Sequence, residues 1–282
     1  MKTARRRRWI GWTFLVLALL AVYAVGVEPR WTATRRIEAS VPGWSRPPLK
    51  VAVASDWHIT RRPLGAMTLD RAAAIVAQIN AANPDVVLLP GDFIAGDGDP
   101  ASRGEPDAQE IAAVLGKLRA PLGVYAVLGN HDWWADGPAV AEALKRRGIQ
   151  VLENDAREID AGLWVAGIGD HMTGHSNPVR TVAAVPPRAH ALVVMHDPAS
   201  LLDLPAVQGL AVAGHMHAGQ VRLPGHGALI TPGRAPRSWS YGWVDHRGLQ
   251  AWVTSGLGTS ILPVRFNARP EWVLLVVGAA AG

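Results

Sequence analysis

The chain has 282 residues, 49% of them hydrophobic and 18% charged, and no cysteine. That length supplies a core for one large or two small domains. The low charge content says that part of the chain avoids water, and the missing cysteines exclude disulfides, thiolate metal sites, iron–sulfur clusters and a catalytic thiol. The net charge of +5 sits at one end: residues 1–30 hold six basic groups against one acidic, and the other 252 hold 22 of each. The folded part therefore lacks the basic excess that duplex phosphates demand, and no nucleic-acid partner is expected.

From Trp9 to Val27 the chain runs 19 residues without a charge. As a helix rising ~1.5 Å per residue it reaches ~28 Å, close to the hydrocarbon thickness of a bilayer. Lys2 and Arg5–Arg8 precede it and Glu28 follows, so the positive-inside bias puts the N-terminus in the cytoplasm and the rest across the membrane, with Arg30, Arg35 and Arg36 weighing the other way. Two other readings stand. Val22-Tyr23-Ala24 offers small residues at a signal-peptide cleavage point, and Arg6-Arg7 followed by Arg8, Trp9 and Ile10 fits a twin-arginine signal. A buried core helix does not suit four arginines at the extreme terminus. The expected organisation is a basic tail and retained transmembrane anchor over 1–28, a linker over 29–48 marked by Val41-Pro42-Gly43 and Arg46-Pro47-Pro48, and a folded domain over 49–282.

Apolar runs of strand length then alternate with helical periodicity. Strands are expected at Leu49–Ser55, Asp85–Pro90, Gly123–Leu128, Leu163–Ile168, Ala191–Met195 and Leu210–Ala213. Helices are expected at Leu69–Ala82, Asp107–Leu118 and Pro138–Arg147, the last capped by Gly148. Unbroken apolar strands between helices indicate sheets covered on both faces. Beyond Gly214 helical periodicity stops, and glycine, proline and aromatic residues punctuate short strands. Trp272–Gly282 is too short to span a bilayer and reads as a buried last strand.

The strand-like runs end in small polar clusters: Asp56-Trp57-His58, Gly91-Asp92, Gly129-Asn130-His131-Asp132, His196-Asp197 and Gly214-His215-Met216-His217. Ligands of open α/β sheets gather at such strand ends. Asp, Asn and His without cysteine suit hard or borderline divalent metals such as manganese, iron or zinc. Asp56 and His58 are two apart and share a side of an extended segment, and His215 and His217 repeat that geometry. A glycine before Asp92, Asn130 and His215 fits sharp turns and close backbone approach. The seven candidate ligands exceed what one ion takes and suit two.

In this order the five blocks resemble the calcineurin-like metallophosphoesterase family, whose pattern is D-x-H, G-D, G-N-H-D/E, a lone His and G-H-x-H. The apolar N-terminal helix, Glu28-Pro29-Arg30, Gly256–Ser260 and Pro263–Phe266 are similar to its membrane-anchored bacterial branch of phosphodiesterase-like proteins. The resemblance implies an α/β (α+β) fold, a four-layer αββα sandwich of two mixed sheets flanked by helices and preceded by one N-terminal transmembrane helix. It implies two divalent metal ions, one held by Asp56, His58 and His217 and the other by Asn130, His196 and His215, with Asp92 bridging. It places His131 beside them as phosphate contact and general acid. The implied activity is hydrolysis of a phosphate ester, in one version lipid-linked, by a single-pass protein of the bacterial inner membrane with its catalytic domain outside the cytoplasm.

The chain departs from the family in places. The acid that orients the catalytic His in many relatives is Ala95 here, leaving Asp97 or Asp132 to substitute. Met216 and Ala218 stand where Thr and Gly are common, away from the metals. His171, His175, His190, His226 and His246 match no block and are expected at the surface or behind the ligands, and Gly256-Leu257-Gly258 reads as a turn. Trp9 and Trp12 suit the headgroup level, and Trp133, Trp134, Trp239 and Trp243 are candidates for an apolar substrate rim. Two alternatives remain: a UDP-2,3-diacylglucosamine pyrophosphatase-like lipid diphosphate hydrolase, which needs a cytoplasmic site, and a metal-bound envelope binding protein without turnover.

Overall fold

Every strand of the first predicted set forms, because its side chains alternate between two apolar environments. In the computed structural model, which describes residues 2–279, Leu49–Val53 (β2) sends Val51 and Val53 into one cluster and Ala52 into another, the period of two that a pleated strand imposes. The other predicted strands are Val86–Leu89 (β3), Val124–Ala126 (β4), Leu163–Ile168 (β7), His190–Met195 (β8) and Gln208–Ala213 (β9).

Two six-stranded sheets result. The first runs β1-β14-β2-β3-β4-β5, where β1 is Ala33–Val41, β5 is Gln150–Val151 and β14 is Glu271–Ala279. The second runs β12-β13-β9-β8-β7-β6, with β6 Asp155–Asp160, β12 Gly242–His246 and β13 Leu249–Val253. Both are mixed: β2, β3, β4 and β5 are parallel while β14 is antiparallel to β2, and β7, β8, β9 and β13 are parallel with antiparallel β6 and β12 at the edges. One apolar cluster lies between the sheets, built from residues such as Val51, Leu88, Val165, Val194 and Leu275. A second lies under Leu69–Ala81 (α2), Ala108–Leu115 (α3) and Asn130–Arg146 (α4), and a third covers the outer face of the second sheet, on which Pro178–Ala183 (α5) packs. The layers are therefore helix, sheet, sheet, helix.

Local chemistry sets the helix ends. Thr68 caps α2 by accepting from the Arg71 amide, and Asp107 with Glu110 forms a capping box on α3. The α4 segment breaks at Asp136 (φ −171°, ψ 85°), just ahead of Pro138. The predicted Pro138–Arg147 helix is its second half, closed by Gly148 at φ +84°. Its first turn carries Asn130 and His131 and was not legible as a helix.

The expected linker over 29–48 is the main correction. Nine of its residues form β1, paired in parallel with β14 from Ala33↔Glu271 to Val41↔Ala279, and Trp44 is buried against the inter-sheet core. The folded unit also reaches further back. The buried Glu28 carboxylate accepts from the amides of Asn267 (2.9 Å) and Ala268 (2.6 Å), and the Ala24 carbonyl accepts from the Arg265 amide at 2.9 Å. Ahead of that junction, Lys2–Val22 (α1) is helical, with Trp9 and Trp12 exposed. The apolar helix over Trp9–Arg30 is long enough to cross a membrane. The last strand forms as expected through Ala279; 280–282 lie outside the described residues.

Candidate metal centre

The polar clusters at the ends of β2, β3, β8 and β9, and at the start of α4, converge at one end of the two sheets. The connecting backbone is held in conformations that side-chain-bearing residues rarely adopt. Asp56, His58, Asp92, His215 and His217 all have positive φ, between +42° and +66°, and such strain concentrates where function over-determines geometry. Two glycines permit the approach. A Cβ on Gly91 (φ +81°) would collide with the Gly129 backbone, and one on Gly214 with the side chains of Ser55 and Asp56. Ala218, beside His217, also sits at a positive φ of +54°.

Two clusters of potential ligand atoms result, each within 4.8 Å: Asp56, His58, Asp92 and His217, and Asp92, His196 and His215. Asp92 is common to both. The His58 and His217 Nε2 atoms face each other at 3.1 Å. Asp92 Oδ2 lies 3.4 Å from His58 Nε2 and 3.3 Å from His196 Nε2. Asn130 joins the second cluster through Oδ1, 3.1 Å from His196 Nε2, and His215 Nδ1 is 3.1 Å from the same nitrogen. All seven side chains are buried.

The electrostatics ask for cations. Burial pushes the Asp56 carboxyl up to about 6 and drives the His58 and His215 imidazoles down to about 3, and it holds His217 well below its usual range. Three imidazoles are thus neutral with lone pairs available. Burial opposes charge on Asp92 and His196 too, yet their mutual attraction holds the Asp92 carboxyl well below its usual range and His196 well above. His196 Nε2, flanked by Asp92 Oδ2 at 3.3 Å and Asn130 Oδ1 at 3.1 Å, lies in a pocket whose buried carboxylates favour positive charge, as a divalent cation would be favoured there. Asp56 Oδ2, buried and without a hydrogen-bond partner, adds a free ligand atom. The nitrogen and oxygen donors, with no thiolate, fit hard or borderline divalent ions.

His131 stands beside the clusters, its ring 4.8 Å from that of His58, and its amide donates to Asp92 Oδ1 at 2.9 Å. Its Nδ1 lies 3.0 Å from the Gly96 carbonyl and 3.2 Å from Asp97 Oδ1. A carbonyl only accepts, so Nδ1 carries a hydrogen and Nε2 is the variable position. Of the two acids considered in place of Ala95, Asp97 reaches the imidazole. Asp132 does not: its carboxylate accepts from the amides of Asp92, Phe93, Ile94 and Gly129 at 2.9–3.1 Å and ties the two loops together.

Further site neighbours lie outside the seven candidate ligands. Ser260 Oγ is 3.2 Å from His131 Nε2. The guanidinium of Arg265, fully buried, donates to the carbonyls of Ser255, Gly258 and Ala268 and lies 3.3 Å from His217 Nδ1. Asp197 Oδ2, buried, is 3.9 Å from His215 Nε2 and 3.7 Å from His171 Nδ1, so His171 borders the site from behind. Asp170 accepts from the amide and hydroxyl of Thr173 in its own turn. Among the candidate rim tryptophans, Trp134 lies against His131 with ring centroids 4.9 Å apart. Trp133 stacks on His175, and Trp239 and Trp243 pack on His246 and Trp252. His190 contacts Trp44, and His226 meets Arg237.

Comparison with known proteins places the chain among phosphoesterases. A family model described as calcineurin-like phosphoesterase matches residues 49–218. The uncharacterized metallophosphoesterase YkuE of Bacillus subtilis is 29% identical, covering 96% of each chain. Phosphodiesterase YaeI of Escherichia coli is 29% identical over 96% of this chain and 98% of its own. UDP-2,3-diacylglucosamine pyrophosphatase LpxG of Chlamydia trachomatis is 21% identical over 72% and 74%. Among solved structures, a 5'-nucleotidase precursor from Thermus thermophilus matches with a TM-score of 0.44 at 15% identity, over 81% of this chain and 55% of that one.

Proposed function

The chain belongs to the calcineurin-like phosphoesterase family and is a metal-dependent phosphoester hydrolase; from that premise we propose that it is a membrane-anchored dinuclear enzyme cleaving phosphate esters outside the cytoplasm. The observation that carries this is Asp92, one buried carboxylate shared by two ligand clusters. Asp56, His58 and His217 would hold one ion, Asn130, His196 and His215 the other, and Asp92 would bridge. When bound, a pair of divalent cations supplies neutralisation of phosphoryl oxygens and acidification of an attacking water.

The protein's own residues do the rest. His131, with Nδ1 fixed on the Gly96 carbonyl and facing Asp97, holds a proton at Nε2 for the departing alkoxide. Ser260 Oγ fixes the ring plane from the other side. Asp132 keeps the loops bearing Asp92 and Asn130 in register through four amides. Arg265 supports His217 while joining the 255–258 loop to Ala268.

Membrane attachment rests on the apolar Trp9–Arg30 helix, and the outward orientation on the basic cluster ahead of it. A second reading, favoured by the likeness to LpxG, is hydrolysis of a lipid diphosphate at the cytoplasmic face. Turnover of bis-p-nitrophenyl phosphate by the metal-loaded protein, abolished by a chelator and restored by manganese, iron or zinc, tests the enzyme. A C-terminal alkaline-phosphatase fusion active in intact cells supports the outward orientation; an inactive one favours the second reading.

A further inference from the structure

The anchor is not a tether. Its end is built into the same loops that border the site. The Ala24 carbonyl accepts from the Arg265 amide, Tyr23 packs edge-on against Phe266 at 6.5 Å, and Arg30 donates to the Gly65 carbonyl at 3.3 Å. The loop that follows Ser260 is rigidly mounted. The Gln220 side chain accepts from the Ser260 amide and donates to its carbonyl, and the Gln220 carbonyl accepts from the Phe266 amide, so one residue pins both ends.

At the tip of that loop stand Ile261, 93% exposed, and Leu262, 61% exposed. Leu262 is three residues from Arg265, hence within ~11 Å of the residue that bonds the anchor's end. Leu64, exposed, immediately precedes Gly65. Ile230, also exposed, has its carbonyl beside Gly219, which adjoins Gln220. Ile261 has φ +61°, a conformation costly for a β-branched residue. Neither packing nor a hydrogen bond of its side chain accounts for a large apolar group there. Several exposed apolar side chains around one end of a folded unit mark an interaction surface.

We propose that Leu64, Ile230, Ile261 and Leu262 form a docking face that inserts into the leaflet from which the N-terminal helix emerges, so that the metal site works on phosphate esters whose acyl chains stay in that leaflet. This rests on the phosphoesterase reading above. The occupant is a lipid surface because the chain's own membrane-length helix leaves the body at this face. The link to the site is short: Ser260, adjacent to Ile261, touches His131.

The full-length protein in phosphatidylcholine–phosphatidylglycerol vesicles tests the proposal. The native chain has no cysteine, so Ile261→Cys carries a single fluorophore. Quenching by lipids spin-labelled near the glycerol region is expected, with none for a label at Val179→Cys on α5, which packs at β6 and β7. In the same vesicles, Ile261→Asp with Leu262→Asp should slow a p-nitrophenyl ester of phosphatidic acid about tenfold, and bis-p-nitrophenyl phosphate less than twofold. Asp tolerates the left-handed conformation, so the first change is not strained. A label that remains unquenched by lipid overturns the proposal, whether it sits in water or is shielded by a second copy of the chain. Equal effects of the double substitution on both esters also overturn it. If the wild-type protein hydrolyses neither ester with any metal, the phosphoesterase reading fails, and the quenching measurement still decides the docking face.

Discussion

Removing residues 1–40 should unfold this protein, whereas removing 1–22 should leave it intact. The shorter truncation takes away only α1, whose residues 9–22 are exposed, and keeps Ala24, Glu28 and all of β1. The longer one removes the Glu28 carboxylate and its two bonds to the amides of Asn267 and Ala268, each worth about 1.5–3 kcal/mol when charge-assisted. It removes Arg35, whose Nε lies 2.5 Å from a fully buried Glu271. Stranding a buried charge costs about 3–5 kcal/mol, and the lower figure applies because Arg35 is half exposed and Glu271 keeps Tyr241 and Thr254 as donors. It also removes the partly buried Ile37 and the buried Ala39 from the inter-sheet core, about 2 kcal/mol more. The low-side total is about 8 kcal/mol, against a stability of about 5–15 kcal/mol for a typical domain. Urea unfolding followed by tryptophan fluorescence, with metal present, measures it. The 1–22 truncation should give a cooperative transition, and the 1–40 truncation none, or one at least about 3 M lower in urea. Coincident transitions would show that β1 is an ornament of the sheet edge and that the energetic reasoning is wrong.

Asp92→Asn should bring bound metal well below two equivalents by elemental analysis and lower turnover at least about 10²-fold, because only a carboxylate serves two ions; two tightly bound metals in that variant would refute the bridging role. His131→Ala should slow alkyl esters by about 10²–10⁴-fold and aryl esters less, with metal content unchanged, since an alkoxide needs the proton that an aryl leaving group does not. Asp97→Asn should cost no more than about fivefold, because its side chain is 73% exposed and solvent-exposed pairs are weak; a loss as large as that of His131→Ala would contradict this. Glu153 has both carboxylate oxygens buried and unpartnered, and burial reinforced by Asp170 raises its carboxyl to about 7. A folded-state value above the unfolded one means that its favourable contribution is complete below about pH 4.5 and lost as pH rises through about 7. Glu153→Gln should therefore raise stability at pH 8 by about 1–2 kcal/mol, allowing for solvent screening of a partly exposed group, and leave it unchanged at pH 4; equal effects at both pH values in denaturant titrations would refute the assignment.

The amino-acid pattern alone carries the alternation of buried strands and helices and the residue types at the strand ends. The four layers and the division of ligands between two ions came from the family likeness. Strands such as Leu163–Ile168 are legible because a sheet covered on both faces needs an unbroken apolar run. Asp56, His58, Asp92, Asn130, His131, His196, His215 and His217 are legible because strand ends converge and because few residue types offer nitrogen or oxygen to a cation. Local pattern cannot show a partner distant in the chain. Residues 33–41 carry Arg35, Arg36 and Glu38 and read as a linker; they become a strand because β14, more than two hundred residues later, offers an edge with a full set of backbone bonds. The same reason left the choice between Asp132 and Asp97 open: Asp132 lies three residues after Gly129 and Asp97 one after Gly96, and only the turn at Gly96 decides which carboxylate meets His131. Ser260, Arg265 and Gln220 sit in a stretch without periodicity, and their place at the site comes from the closure of one loop onto the end of the N-terminal helix. Composition and period fix what each segment can be, and contacts between segments far apart in the chain fix what each side chain does.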